Sequence, residues 1–221
     1  MAEKNTSPES SESQALTYKT WSWRWWWHEW ISPLLWALVL AFFIRAFFVQ
    51  AFKIPTGSMR TTLLEGDRIL VNKFGYCGRF EIRIPFIDKT IFSTSMFTFR
   101  EPKRGDIVVF RYPVDGKRDF VKRLVAFGGE KISIKDGHVY INGKLLDEPD
   151  IFQKLYYYNR PDWDYGKPDQ QILVPEKHFF VLGDNSRESS DSRNWGFVPR
   201  KNLIGRAIGI YFPFKRFGFV K

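Results

Sequence analysis

The run WISPLLWALVLAFFIRAFFVQAF, from Trp30 to Phe52, constrains this chain more than any other feature: it is 23 residues long and carries a single charge, Arg45. At about 1.5 Å rise per residue, a helix of that length spans the hydrocarbon core of a bilayer. Immediately before it, WSWRWWWHEW at 21–30 packs six tryptophans into ten residues, a composition suited to the aromatic belt at a membrane–water interface. A buried core helix is the competing reading. A cleaved signal peptide fits less well, because the apolar run is too long and the small-residue cleavage pattern is missing. A retained single-pass transmembrane helix is therefore expected at 30–52, after a tail and Trp-rich interfacial segment at 1–29. Within that segment, the Ser/Glu/Gln-rich residues 1–18 read as a disordered tail. Flanking charge does not orient the anchor, since Lys19 and Arg24 on one side balance Lys53 and Arg60 on the other.

The rest of the chain belongs outside the bilayer. Mean hydropathy is −0.31, which argues against several spans, and 18% aromatic residues exclude an intrinsically disordered chain. At 221 residues the chain can bury a core without help from a metal or a disulfide. Cys77 stands alone, so neither an internal disulfide nor a cysteine zinc site can form. With only His28, His138 and His178 besides, no metal or cofactor is expected. The formal net charge is +10. Residues 1–29 hold three basic and four acidic groups, so the whole excess lies beyond them. Such a balance suits a polyanionic partner, either nucleic acid or an anionic membrane.

After the anchor the pattern shortens to β-runs separated by turns. Gly66-Asp67 precedes RILVNKF, Gly105-Asp106 precedes IVVFRYP, and DFVKRLVAF follows at 119–127. KISIK and HVYI flank Asp136-Gly137, a two-residue hairpin signal, and Asn142-Gly143 marks a second. No sustained helical period appears beyond the anchor, so the expected fold class is mostly β and antiparallel. Residues 74–99 are rich in phenylalanine with scattered charges. They read equally as core strands with a loop or as an aromatic hairpin at the bilayer interface.

Candidate chemistry emerges by elimination. The chain has no Gly-x-Ser-x-Gly elbow, no Ser-x-x-Lys, no phosphate-binding Gly-rich loop, no His-Glu-x-x-His and no dinucleotide fingerprint. His138 sits beside a hairpin tip, a poor place for a triad. Ser58 remains, in Ile54-Pro-Thr-Gly-Ser-Met59, where Pro55 and Gly57 shape an irregular turn. Lys122 is its candidate partner. With period two, Phe120, Lys122 and Leu124 share one face of a strand and Val121, Arg123 and Val125 the other. Both faces are apolar, so one basic residue of the Lys122/Arg123 pair is expected against a core. Burial lowers a lysine pKa, and a neutral amine can take a proton from a serine hydroxyl; arginine cannot. A lysine snorkelling to solvent is the alternative. The loop GDNSRESSDSRNWG at 183–196 is a third element, whose Asp and Arg can pair bidentately and whose serines can orient an amine.

Taken together these segments resemble the bacterial type I signal peptidases, peptidase family S26. IRAFFVQAFKIPTGSM at 44–59, EGDRILVNKF at 65–74, KRGDIVVFRYP at 103–113, DFVKRLVAFGGE at 119–130 and GDNSRESSDSRNWGFVP at 183–199 occur in the family's order. The resemblance implies a membrane-bound serine endopeptidase that removes signal peptides from secretory preproteins carrying small residues at −1 and −3. It also implies Ser58 as nucleophile, Lys122 as general base, and an oxyanion hole from Thr56 and the Ser58 N–H. Ser189 would orient the lysine, and Asp191 and Arg193 would support the site. The implied fold is an antiparallel β catalytic core at 53–129 and 179–221 with a β-rich insertion at 130–178. The implied location is single-pass in the plasma (inner) membrane, catalytic domain outside the cytoplasm. Thr61, Gly128-Gly129 and residues 186–188 depart from the family's usual pattern.

Two other readings remain: a self-cleaving Ser/Lys peptidase, and a membrane-anchored binding protein with a basic surface. No recognisable nucleic-acid module appears, so nucleic acid is not an expected partner. Residues 200–221 carry six basic groups and no acidic ones, among Tyr211, Phe212, Phe214, Phe217 and Phe219. That mixture suits anionic membrane lipids.

Overall fold

Short β-branched runs broken by glycine turns build sheets here. The computed structural model describes residues 23–74, 79–83, 90–95 and 100–220. The tail at 1–18, Trp21, Cys77 and all of the 74–99 segment except Phe74 and two strands lie outside the described residues. The chain divides into two units, Met1–Ala41 and Phe42–Lys221.

Described residues of the first unit are helical. A turn of α-helix, α1 (Trp23–Trp26), passes through π-helix (Trp27–Ile31) into α2 (Ser32–Phe47), whose last residues belong to the second unit. Indole pairs four apart meet along one side, Trp23 with Trp27 and Trp26 with Trp30, at centroid distances of 6.4 and 6.3 Å. The stretch Trp27–Ile44 is long and apolar enough to cross a membrane, with none of it buried inside the protein.

The apolar run at 30–52 does not stay helical to its end. Helix α2 stops at Phe47, and Val49–Lys53 form β1, paired with β2 (Arg68–Asn72) from Val49↔Asn72 to Lys53↔Arg68. Ladder pairing claims these backbone groups, and Phe52 packs against a core cluster. Hydropathy alone cannot see this boundary, because a strand facing a core is as apolar as a helix facing lipid.

The remaining strands follow in order: β3 (Arg79–Arg83), β4 (Thr90–Ser95), β5 (Ile107–Arg111), β6 (Asp119–Phe127), β7 (Lys131–Lys135), β8 (His138–Ile141), β9 (Lys144–Leu145), β10 (Gln171–Leu173), β11 (His178–Leu182), β12 (Val198–Pro199), β13 (Leu203–Phe212) and β14 (Gly218–Phe219). Among the described residues the main sheet runs β1-β2-β13-β5-β6-β11-β12, with β14 beside β13. A second sheet runs β10-β7-β8-β9, and β3 and β4 form a hairpin. All pairs are antiparallel. Asp136-Gly137 and Asn142-Gly143 adopt positive φ throughout (48°, 78°, 51°, 80°), the geometry of the tight hairpin turns their sequence predicts. Among the described residues, helix is otherwise limited to α3 (Ile151–Lys154), α4 (Ser192–Trp195) and short 3-10 turns.

The core lies on both sides of β5 and β6. Ile107 and Val109 join Ile54, Met59, Leu63, Ile69 and Val71 on one side, while Val108, Phe110 and Leu124 meet Phe179, Val181 and Val198 on the other. A third cluster joins Val125, Ala126, Phe180 and Leu182 to Ile132, Ile134 and Val139 of the second sheet. Burial on both faces explains why IVVF reads as a continuous apolar run rather than an alternating one.

Candidate active site

Ser58 follows directly from the sheet edge. After β1 the chain turns at Pro55, Thr56 is extended (φ −134°, ψ 154°), and Gly57–Met59 form one 3-10 turn whose residues are all buried. Met59 inserts into the core at 1% exposure, which fastens the turn from below. Lys122 comes from the middle of β6, opposite Val108 of β5. Its Nζ stands 2.7 Å from Ser58 Oγ and 3.2 Å from the Val121 carbonyl oxygen.

The lysine is 4% exposed. Burial pushes its ammonium down from the ordinary 10.5 to about 8; the charges of Asp191 and Asp184 pull it back up in part and Arg193 presses it down. Among the described residues no carboxylate lies within salt-bridge distance of Nζ. As an ammonium, Lys122 donates to Ser58 Oγ; as an amine, it accepts the hydroxyl proton. The arrangement can therefore generate a serine nucleophile near neutral to mildly alkaline pH.

Arg123, the next residue, is also buried, at 0% exposure. The expectation that one basic residue of the pair faces a core is thus exceeded: both do. Arg123 forms a bidentate pair with Asp184, Nε to Oδ1 at 2.8 Å and Nη2 to Oδ2 at 2.7 Å, and donates to the Gly105 carbonyl at 2.6 Å. Thr62 Oγ1 donates to Asp184 Oδ2 at 2.5 Å, which ties the helical turn after Ser58 to the same carboxylate.

A second buried pair lies in the 183–196 loop. Asp191 and Arg193, both fully buried, meet through Nε–Oδ1 at 2.8 Å and Nη2–Oδ2 at 2.7 Å. Asp191 Oδ2 also accepts the Gly183 N–H at 3.0 Å. Arg193 donates to Ser186 Oγ at 2.7 Å and to the Tyr158 carbonyl at 2.5 Å, with its guanidinium 4.6 Å from the Trp163 ring. Residues of the 130–178 segment thereby clasp the loop.

The other sequence-derived candidates fall around this pair. Ser189 is 4% exposed and its Oγ has no hydrogen-bond partner; it packs on Gly183, where an added Cβ would collide with the Ser189 side chain and come within 2.6 Å of the Ser58 carbonyl oxygen. Thr56 is exposed and its hydroxyl does not cap the turn. Sequence reasoning assigned no role to Arg123, Asp184, Thr62 or Asn185. Adjacency to Lys122 and the Asp-Asn pair opening the loop were the available signals. Asn185 contacts the nucleophile turn directly, donating its N–H to the Ser58 carbonyl and Nδ2 to the Gly57 carbonyl, both at 3.0 Å.

Comparison with known proteins identifies a family. The family model "Signal peptidase, peptidase S26" matches residues 27–212. Signal peptidase I of Pseudomonas aeruginosa is 34% identical over 203 residues, covering 79% of this chain and 68% of that protein. The probable signal peptidase I-2 of a Synechocystis species is 34% identical over 200 residues, covering 88% and 77%. Signal peptidase I of Rickettsia akari is 32% identical over 235 residues, covering 94% and 85%.

Proposed function

The chain belongs to the signal peptidase family, peptidase S26, and from that premise we propose that this signal-peptide-cleaving serine peptidase works through Ser58 and Lys122. The 2.7 Å contact between Nζ and Oγ, made by a lysine whose pKa burial has lowered to about 8, carries this assignment. Neutral Lys122 takes the Ser58 proton as Oγ attacks the scissile carbonyl, and the Ser58 N–H with Thr56 receives the developing oxyanion. The ammonium then returns its proton to the leaving amine, so the peptide bond breaks and an ester to Ser58 remains. Water, deprotonated by the regenerated amine, hydrolyses that ester. Removing one oxyanion donor typically costs ~10²–10³ in rate.

Asp191 with Arg193 supports the loop beside this pair, and Ser189, whose buried Oγ is unpartnered, orients the Lys122 amine. The substrates are secretory preproteins with small residues at −1 and −3, bound as an added strand whose backbone supplies affinity. The family and the apolar helix fit a membrane-anchored enzyme. In our reading the membrane is the inner one and the catalytic unit faces outward. Phe214, Phe217 and Phe219 are 81, 74 and 86% exposed, beside Lys215 and Arg216, and Arg216 is fastened to Asp67 at 3.0 Å. An aromatic, basic segment held in place this way suits contact with anionic lipid. The 53–129 and 179–221 segments form the catalytic core and 130–178 an insertion that buttresses it.

Incubating the purified chain with a preprotein tests the assignment. Ser58→Ala and Lys122→Arg should each abolish processing. Near-normal cleavage by Lys122→Arg would overturn the general-base role, because arginine cannot supply a neutral amine.

A further inference from the structure

Asn185 meets both peptide units that flank the Ser58 Cα. Its N–H donates to the Ser58 carbonyl at 3.0 Å, and its Nδ2 donates to the Gly57 carbonyl at 3.0 Å. The Gly57 carbonyl and the Ser58 N–H belong to one planar trans peptide unit, so they point in opposite directions. Whatever fixes the Gly57 oxygen therefore fixes where the Ser58 N–H aims. The same oxygen takes a second bond from the Arg60 N–H at 3.0 Å. A carbonyl loaded with two donors also polarises its peptide and strengthens the opposite N–H as a donor.

Asn185 is itself braced. Its Nδ2 also donates to Glu188 Oε2 at 3.0 Å, and that oxygen accepts Arg60 Nη1 at 3.2 Å. With a carbonyl and a carboxylate as its two neighbours, only the NH₂ end of the amide can face inward; a flipped amide would set Oδ1 against two oxygens. The backbone bond to Ser58 holds the second peptide plane, so one residue constrains both sides of the reactive Cα. The Arg60 and Glu188 side chains are half exposed, which leaves the two carbonyl contacts as the rigid part of the grip.

We propose that Asn185 is a positioning residue for the oxyanion hole, aiming the Ser58 N–H by holding the carbonyl of the same peptide unit; this rests on Ser58 being the nucleophile. Asn185 needs no contact with substrate for this role. An N–H that binds negative charge only as it develops contributes to the transition state and not to substrate binding. Misaiming it should therefore lower kcat and leave KM alone.

Steady-state kinetics of the full chain on a preprotein substrate test the proposal, with Asn185→Ala, Asn185→Asp and Ser58→Ala measured side by side. Asn185→Ala should lower kcat by about ten- to a hundredfold, a fraction of the loss from deleting a donor outright. KM should stay within about twofold and the alkaline-rising limb of the pH profile should keep its midpoint. Asn185→Asp keeps the shape and the backbone N–H but lacks the side-chain donor, so it should show the same split and carries the test if the alanine variant unfolds. Undiminished kcat in either folded variant, or a loss that falls on KM, overturns the proposal. If Ser58→Ala itself cleaves normally, the nucleophile assignment fails first; if Ser58→Ala is dead while Asn185→Ala is fully active, only the role of Asn185 is refuted.

Discussion

Lys122 and Arg123 are consecutive residues on β6, 4 and 0% exposed, and the two sides of the strand treat them oppositely. On the Arg123 side, Asp184 offers both carboxylate oxygens and Gly105 a carbonyl. That guanidinium is held by a bidentate carboxylate and a carbonyl. On the Lys122 side, among the described residues, Nζ hydrogen-bonds a hydroxyl and one carbonyl and lies 5.4 Å from the Phe120 ring, and burial lowers the ammonium to about 8. Equal burial thus leaves a carboxylate-paired guanidinium in one case and a lysine with a lowered pKa in the other. The side chain's own chemistry and burial decide which: arginine keeps its proton when buried, whereas burial lowers the lysine and the charges of Asp191 and Asp184 only partly offset it.

The largest effect should come from the reactive side. Lys122→Met should reduce preprotein cleavage by at least ~10²–10⁴, the usual worth of a positioned general base; retained activity would erase the distinction between the faces. Next comes the structural side. Asp184→Ala leaves Arg123 buried without its partner, and should lower unfolding free energy by about 3–5 kcal/mol in a urea titration.

The same titration on Lys122→Met should move the other way. The folded-state pKa is depressed, so below about pH 8 both states carry the proton and the folded state bears the whole penalty of burying it. Between about 8 and the ordinary 10.5 the unfolded chain still holds a proton that the folded chain has released, and stability rises with pH. The variant should therefore be more stable than the parent at pH 7 by up to about 3 kcal/mol, and the gain should shrink by pH 10. In the parent enzyme, kcat/KM should climb with pH to a midpoint near 8. A midpoint near the free lysine value would mean that burial does not tune the base.

The smallest effect should be at the rim. Arg60 pairs with Glu65 at 3.1 Å and Glu188 at 3.2 Å, but about half of each side chain is in solvent. Arg60→Ala should change stability by less than about 1 kcal/mol. A larger loss would show that charge pairing at the rim, and not only inside the strand, holds the nucleophile turn.

The sequence by itself determined the local features. Tryptophan and aliphatic density marked a helix, expected over 30–52, Asp136-Gly137 and Asn142-Gly143 set their hairpins, and the ordered motifs pointed to Ser58 and Lys122. Each of these depends on neighbours within a few residues, or on a pattern shared with relatives. Tertiary structure alone decided where helix gives way to β1, because only pairing with β2 distinguishes a core strand from more lipid-facing helix. It alone placed Asp184 against Arg123, 61 residues away, and Asn185 against Gly57, 128 residues away. These contacts exist because β6 pairs with both β5 and β11, which carries the loop after β11 beneath the turn after β1. The lowered pKa of Lys122 belongs with them: burial is a property of the packed sheet, and no short stretch of sequence contains it.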